Sequence, residues 1–169
     1  MKNGVVEIKV QQMFPTEQGC MVFLGNGQKV FIIHVDLSVG RAIHMALKGI
    51  KGERPLTHDL ISNIFAGLGV HIDRVVVNDL VKQDAGGGTY YARLFLRAEN
   101  ESGKKIVEID TRPSDAIALA LQQKCPIYVA REVFDLVDDA SEELKRVNQV
   151  LRQEGDPSEP EAGEEGEGK

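Results

Sequence analysis

The stretch DTRPSDAIALAL at residues 110–121 does most to decide how this chain folds. It follows an apolar strand-like segment, and Pro113 fixes the backbone angle at which a helix starts. Ser114 is the expected helix cap, and Asp115 in the first turn is favoured by the free amide groups and the helix dipole. Alanine, isoleucine and leucine then recur at helical spacing. The stretch therefore predicts a strand that joins a capped helix, with a charged cluster at the junction.

Two other stretches repeat parts of this pattern. Residues 35–47 align with residues 109–121 at a constant offset, and both read as a strand that ends in Asp before a helix rich in Ala, Ile and Leu. Duplication and coincidence both explain this similarity, because short helical patterns recur often. Residues 54–59, RPLTHD, also place Arg-Pro before a hydroxyl residue and an acid, with Thr57 as the expected cap.

Hydrophobic periodicity predicts the remaining elements. The strands are expected over residues 5–13, 20–24, 29–35, 70–81, 89–98, 105–109 and 126–130, and the helices over residues 36–48, 57–68, 114–123 and 141–153. The third strand, almost continuously apolar, is expected in the centre of its sheet. The second helix should bury Leu60, Ile61, Ile64, Phe65 and Leu68, and the fifth strand should bury Tyr91, Leu94 and Leu96. Residues 131–137 fit no single pattern. The fold class is α+β, with a mixed, largely antiparallel sheet and packed helices.

Charge divides the chain into two parts. Residues 154–169 carry seven acidic residues and one lysine, which leaves equal numbers of acidic and basic residues in residues 1–153. A segment so poor in apolar side chains cannot offset the entropy of ordering itself. The expected organisation is an α+β domain over residues 1–137, a C-terminal helix over residues 138–153 and a disordered acidic tail over residues 154–169. The tail is either a solubilising segment or an interaction segment.

The composition argues against several classes of protein. A neutral body lacks the basic stripe that is typical of tight duplex binding. Cys20 and Cys125 lie far apart in apolar runs and predict reduced, buried thiols. No apolar run approaches the length of a membrane span, so a cytoplasmic protein is expected. Serine or cysteine hydrolases are disfavoured, because the nucleophile motifs of those enzymes are missing from the sequence.

The charged cluster can be explained in two ways. In the first, Arg112 pairs with Asp110 or Asp115, and the cluster only stabilises the helix start. In the second, the two Arg-Pro helix starts lie side by side, so that acids from both form a site for Mg²⁺ or Mn²⁺ while arginines hold a phosphate. The expected metal ligands are Asp59, Asp110 and Asp115, with Glu108 as a further candidate. His34 and His44 are expected to be structural, and His71 is expected to be a surface residue of a strand.

The sequence resembles the bifunctional nuclease domain family, which is found in bacteria and, joined to other segments, in plants. The resemblance rests on RPLTHDL at residues 54–60, YARL at residues 91–94, DTRPSDAIALA at residues 110–120 and PIYV at residues 126–129. It implies a compact α+β fold, a homo-oligomer with a dimer favoured, and degradation of DNA and RNA, with weak binding of single strands. Carried over to this sequence, it implies the site residues Arg54, His58, Asp59, Asp110, Arg112, Ser114 and Asp115.

One position departs from the family pattern. Val39 stands where relatives commonly have Glu before the first Ala-Ile helix. If that Glu is a ligand or a base, this chain has a weaker or different mechanism; if it is structural, activity is unaffected. The neutral body and the missing Glu favour a rival to the metal-assisted nuclease, which is a non-catalytic oligomeric binding or regulatory module whose Arg and Asp clusters are salt bridges.

Overall fold

The computed structural model of the chain describes residues 4–83, 87–100 and 103–153. The expected acidic tail lies outside these residues, as do residues 84–86 and 101–102 of two expected turns. The strands are β1 (Val5–Thr16), β2 (Gly19–Gly25), β3 (Val30–Val35), β4 (Val70–Lys82), β5 (Gly88–Asn100), β6 (Gly103–Thr111) and β7 (Ile127–Ala130). The helices are α1 (Leu37–Lys48), α2 (Thr57–Gly67), α3 (Pro113–Gln123), α4 (Arg131–Leu136) and α5 (Ser141–Gln153).

The strands form one seven-stranded sheet in the order β3-β2-β1-β7-β4-β5-β6. Neighbouring strands are antiparallel except for β4 and β7, which are parallel. The predicted α+β class and the predicted order of the elements are therefore confirmed, and the undecided segment after β7 is the short helix α4. The division of the chain at residue 137 stays a prediction. Within the described part of the chain, no helix is long and apolar enough to cross a membrane.

The two halves of the sheet mirror each other across β7. On one side lie β1, β2 and β3 followed by α1, and on the other lie β4, β5 and β6 followed by α3. Helices α1 and α3 pack against each other, and their starts meet where Arg112 approaches Asp36. This arrangement gives the two similar sequence stretches equivalent places in the fold, which favours duplication over coincidence.

The expectation that β3 is central was wrong, because β3 forms one edge of the sheet. Most of its side chains, His34 excepted, are nevertheless buried, because the sheet curves and other segments cover it. The Phe31 ring lies 5.9 Å from that of Tyr90 on β5 and 6.5 Å from that of Phe134 on α4, measured between centroids. The amide of Ala140 also donates to the carbonyl of Val30 at 2.7 Å. An apolar strand can therefore sit at an edge when the curvature closes over it.

Two burial predictions also need correction. In α2, Ile61 and Phe65 pack against the core, but Leu60, Ile64 and Leu68 are 55%, 48% and 72% exposed. Within the described part of the chain, the elements that adjoin this helix closely are α3 and β4, so it buries only a narrow face. In β5, the predicted burial of Leu94 and Leu96 is confirmed, whereas Tyr91 is 43% exposed and Tyr90 packs inward instead. A register shift between Val77 and Asp79 in the partner strand accompanies this change of face.

The predicted helix caps were displaced by one or two residues. Helix α2 begins after Leu56, not after Thr57, and the Asp59 carboxylate accepts a hydrogen bond from the Leu56 amide at 2.7 Å. Helix α3 begins at Pro113, so its cap is Arg112 and Ser114 lies inside the first turn. A residue before proline is held in an extended conformation, so Arg112 becomes the cap, two positions before the expected Ser114.

Candidate functional site

The start of α3 holds a cluster of three charged or ionisable side chains, called here the α3 clamp: His58, Arg112 and Asp115. Asp115 accepts hydrogen bonds from Arg112 Nε at 2.7 Å and from Arg112 Nη2 at 3.2 Å. Its Oδ1 also lies 3.0 Å from His58 Nε2. The first explanation of the charged cluster is confirmed to this extent: Arg112 does pair with Asp115. The clamp also joins α2 to α3, because His58 belongs to the first turn of α2.

The carboxylate of Asp115 is ionised at neutral pH. Burial alone raises its pKa, but the hydrogen bonds and positive charge supplied by Arg112 and His58 bring the pKa below the usual value. An ionised carboxylate only accepts hydrogen bonds, so His58 donates through Nε2. The proton-accepting nitrogen of neutral His58 is then Nδ1. His58 is only 8% exposed, which limits its direct contact with any bound molecule.

Arg112 faces outward from the clamp. Its side chain is 66% exposed, and Nη1 lies 3.9 Å from Asp36 Oδ2 at the start of α1. Asp36 caps α1 by accepting a hydrogen bond from the Val39 amide at 3.1 Å. Together with the Ser38 hydroxyl, that bond lowers the pKa of Asp36, so it too is an anion at neutral pH. The starts of α1 and α3 thus present one guanidinium flanked by two carboxylates.

This junction opens into a cleft of about 860 Å³. The cleft lies between the edge strand β3, the facing ends of β4 and β5, and the segment that joins α4 to α5. Arg112 and Ser114 lie in its lining, but His58 and Asp115 do not. The charged and titratable residues of the lining are His34, Asp36, Lys82, Tyr90, Arg112, Asp138, Asp139 and Glu143. A polar ligand that enters the cleft meets Arg112, while the rest of the clamp stands behind it.

Sequence reasoning missed His34. It was expected to be structural because it lies in the apolar run VFIIHV, but its side chain is exposed. It lines the main cleft and also a second hollow formed with residues 16–20, so it stands where the two meet. Strict alternation along β3 could have revealed this position, because Phe31, Ile33 and Val35 point to the opposite face.

The other predicted site residues do not join the clamp. Asp59 accepts hydrogen bonds from the Leu56 amide and from Gln122 Nε2, at 2.7 and 2.9 Å. Asp110 is 70% exposed and pairs at 3.3 Å with Arg93, which also pairs with Glu108 at 3.4 Å. Arg54 is exposed and does not line the cleft. Among the described residues, the two Arg-Pro helix starts therefore meet through the contact between His58 and Asp115.

The donors required for the predicted metal site are divided among different partners. In residues 4–83, 87–100 and 103–153, no three His, Cys, Asp or Glu side chains are grouped so that they could hold a metal ion. Both oxygens of Asp59 and of Asp115 accept hydrogen bonds, and Asp110 pairs with Arg93, so the three do not fit a shared Mg²⁺ or Mn²⁺ site in this arrangement. Dependence on a metal stays a prediction for experiment.

The fold and the site together define an α+β protein with a paired arginine at the mouth of an open, polar cleft. The sequence pattern of the bifunctional nuclease domain matches residues 22–142. This match covers most of the chain and includes every residue of the α3 clamp. The chain therefore belongs to the bifunctional nuclease domain family.

Curated relatives support this membership. An uncharacterized protein of Mycobacterium tuberculosis is 34% identical over 144 residues, which is 82% of this chain and 79% of the relative. A protein of Oryza sativa subsp. indica named bifunctional nuclease 1 is 32% identical over 88 residues, which is 52% of this chain but 25% of the relative. The rice protein is thus similar over part of the domain and carries much additional sequence.

Proposed function

We propose that this protein is a nuclease that hydrolyses phosphodiester bonds of DNA and RNA single strands in the cleft at the start of α3. The observation that carries the proposal is the position of Arg112, which Asp115 holds through two hydrogen bonds while the arginine side chain is 66% exposed and lines the cleft. Membership in the bifunctional nuclease domain family supports the same reaction class.

In this proposal Arg112 binds the substrate phosphate. A guanidinium matches two phosphate oxygens at once, and it stabilises the charge that develops as the phosphodiester bond breaks. Asp115 and His58 are positioning residues, because they limit the rotation of Arg112 and do not themselves line the cleft. Such support from behind keeps a binding group in a productive orientation.

His34 is the proposed proton-transfer residue. An imidazole on the cleft wall can take a proton from an attacking water molecule and return it to the leaving oxygen. Asp36, the residue that directly follows β3, lines the same cleft. No step of this scheme is assigned to a metal ion; activation by Mg²⁺ or Mn²⁺ is a separate proposal that chelation tests.

The test compares initial cleavage rates on labelled single-stranded DNA and RNA, with Mg²⁺, with Mn²⁺ and with EDTA. We expect Arg112→Gln and His34→Asn each to lower kcat by about 100-fold, the scale of a lost charge-stabilising or proton-transfer group. Arg97→Gln is the matched control for the arginine change. Arg97 is also a half-exposed arginine of an exposed ion pair, with Glu99 at 3.6 Å, but it lies far along β5 from the cleft.

The kinetic pattern separates binding from positioning. Asp115→Asn should lower kcat less than Arg112→Gln does, because Arg112 remains present but less well oriented. If Arg112→Gln, His34→Asn and Arg97→Gln all retain the parental rate and the parental fold, the cleft is not the site of hydrolysis.

A second candidate function is a non-catalytic binding or regulatory module. It is favoured by the way in which most predicted site carboxylates pair off: Asp59 ties α2 to α3 through Gln122, and Asp110 pairs with Arg93 on the sheet. This module should bind a nucleotide or a phosphate ester at Arg112 without turnover. If calorimetry shows that the parent binds such a ligand, and the parent cleaves no nucleic acid under any metal condition, the binding module is the correct function.

We also propose that the chain self-associates. Leu60, Ile64 and Leu68 form an exposed apolar row on α2, at a spacing that places all three on one helix face. A second copy would cover this row, since large exposed apolar patches mark protein contacts. Sedimentation velocity should show a dimer for the parent and a monomer for Ile64→Glu; a monomeric parent would contradict the proposal.

A further inference from the structure

The equal numbers of acidic and basic residues in the body of the chain conceal a local separation of charge. Residues 37–52 contain Arg41, Lys48 and Lys51 but no Asp or Glu. The far wall of the cleft is the reverse, because Asp138, Asp139 and Glu143 line it where α4 joins α5. The body is therefore neutral in total, but its positive and negative side chains lie on different surfaces.

The basic side chains of α1 lie on one face, called here the α1 stripe. Leu37, Arg41, His44 and Lys48 follow one another at intervals of four, three and four residues, which places them within one narrow arc of the helix. All four are exposed. Ile43, on the other side of α1, is fully buried. The stripe thus faces solvent directly away from the core.

The loop after α1 extends this surface. The Ile50 amide donates to the Met45 carbonyl at 2.9 Å, which turns the chain back along the helix. A Cβ atom at Gly52 would lie only 3.7 Å from the Met45 methyl carbon, so the loop rests on α1. Lys51 and Arg54 are both exposed on this loop. They add two cations near the C-terminal end of the stripe, and the exposed Glu53 between them adds one negative charge.

Helix stability alone does not explain the stripe. Lys48 in the last turn complements the negative end of the helix dipole, but Arg41 lies too far from that end to benefit. Within the described ranges, no carboxylate forms an ion pair with Arg41, Lys51 or Arg54. Residues 37–54 together carry four cations and one acid, Glu53, and this excess of positive charge favours a polyanion as the partner.

The stripe begins close to the proposed catalytic cleft. Asp36 caps α1 and lies 3.9 Å from Arg112, so the first turn of the helix adjoins the cleft. At about 1.5 Å per residue, Arg41 lies roughly 8 Å along the axis from Asp36 and Lys48 roughly 18 Å. A phosphate backbone that lies on α1 would reach Arg112 at one end, and the acidic wall of the cleft would stop it from continuing.

We propose that the α1 stripe, together with Lys51 and Arg54, binds the phosphate backbone of a single-stranded nucleic acid and leads it to Arg112. This inference rests on the proposed nuclease function for the identity of the polyanion. It adds the surface that holds the strand and the direction in which the strand enters. Binding is mainly electrostatic, because most of this surface is cationic and His44 is the one side chain of the stripe that could stack on a base.

The test is fluorescence anisotropy with a labelled, cleavage-resistant phosphorothioate oligodeoxythymidylate across a series of salt concentrations. The test variant is Arg41→Gln/Lys48→Gln/Lys51→Gln, in which glutamine preserves helix propensity. The matched control is Lys145→Gln/Arg146→Gln/Arg152→Gln, which removes the same charge from exposed positions of α5. We expect the stripe variant to bind about tenfold more weakly, with a salt slope smaller by about two, since each lost single-strand phosphate contact removes about 0.7.

Equal binding by the stripe variant and the α5 variant would overturn the inference, because net charge alone would then explain the affinity. Stronger stripe-dependent binding to vesicles of phosphatidylserine and phosphatidylcholine than to the oligonucleotide would also overturn it, since the partner would then be an anionic membrane surface. Circular dichroism is the control that checks whether both variants are folded.

A small substrate distinguishes failure of this inference from failure of the proposed function. Bis(p-nitrophenyl) phosphate can enter the cleft but is too short to contact the stripe. The stripe variant should hydrolyse it at the parental rate while losing activity on the oligonucleotide. If the parent hydrolyses neither substrate, the nuclease proposal fails, and the anisotropy result still decides whether the stripe binds single strands.

Discussion

Replacing Asp115 by Asn removes the one charge that holds the α3 clamp together. The carboxylate accepts three close hydrogen bonds, from Arg112 Nε at 2.7 Å, Arg112 Nη2 at 3.2 Å and His58 Nε2 at 3.0 Å. The pair with Arg112 contributes little, because the arginine is 66% exposed. The bond to buried His58 is worth more, since a hydrogen bond to a charged group contributes about 1.5–3 kcal/mol.

We therefore expect Asp115→Asn to lower the free energy of unfolding by about 2 kcal/mol, or Tm by about 4–8 °C for a chain of this size. Urea denaturation followed by circular dichroism measures the change. Asp110→Asn is the matched control, because Asp110 is 70% exposed and its pair with Arg93 is a surface contact. This substitution should change the free energy of unfolding by no more than about 0.5 kcal/mol. Equal losses for the two variants would refute the view that the clamp ties α2 to α3.

Two further predictions concern pH and packing. Folding lowers the pKa of Asp115 below the unfolded value of about 3.9, so the stability that its ionised form contributes is fully present above that pH and is lost as the pH falls through the folded pKa. In acid titrations, the difference in unfolding free energy between the parent and Asp115→Asn should therefore shrink below about pH 4. A Cβ atom at Gly40 would lie 2.6 Å from Cys20 Sγ, so Gly40→Ala should cost about 1–3 kcal/mol and Cys20→Ala should recover part of it. Gly67→Ala, where nothing lies within 4 Å, should instead be neutral or stabilising in the same thermal melts.

The sequence was most informative where local chemistry determines local structure. Alternation in β1 and helical spacing in α1 and α5 predicted these elements, because burial of one face needs only the right period. Gly49 was correctly read as the end of α1, where its φ of 66° is the left-handed conformation that glycine adopts easily. The order of elements and the α+β class followed from these local patterns.

Features that depend on distant segments could not be predicted in the same way. The apolar run of β3 suggested a central strand, since nothing in the run shows that Tyr90 and Phe134 close over an edge. The exposed side chains Leu60, Ile64 and Leu68 look the same in sequence as buried ones. In each case, burial of the side chains depends on which element packs against them, and tertiary packing determines that element.

The candidate site was predicted in part. The expected pairing of Arg112 with Asp115 was found, and the two Arg-Pro helix starts do approach each other through His58. Asp59 instead binds Gln122, a residue that no motif marked. The neutral total charge also hid the α1 stripe, because a sum over the whole body cannot show that cations and acids lie on different surfaces.

The most direct test of the central claim is the rate of single-strand cleavage by purified parent, Arg112→Gln and Arg97→Gln proteins under identical metal conditions. The account predicts that the parent and Arg97→Gln cleave DNA and RNA at similar rates, and that Arg112→Gln is slower by about 100-fold while remaining folded. Cleavage by folded Arg112→Gln at the parental rate would contradict it, because the cleft would then be no part of the catalytic site.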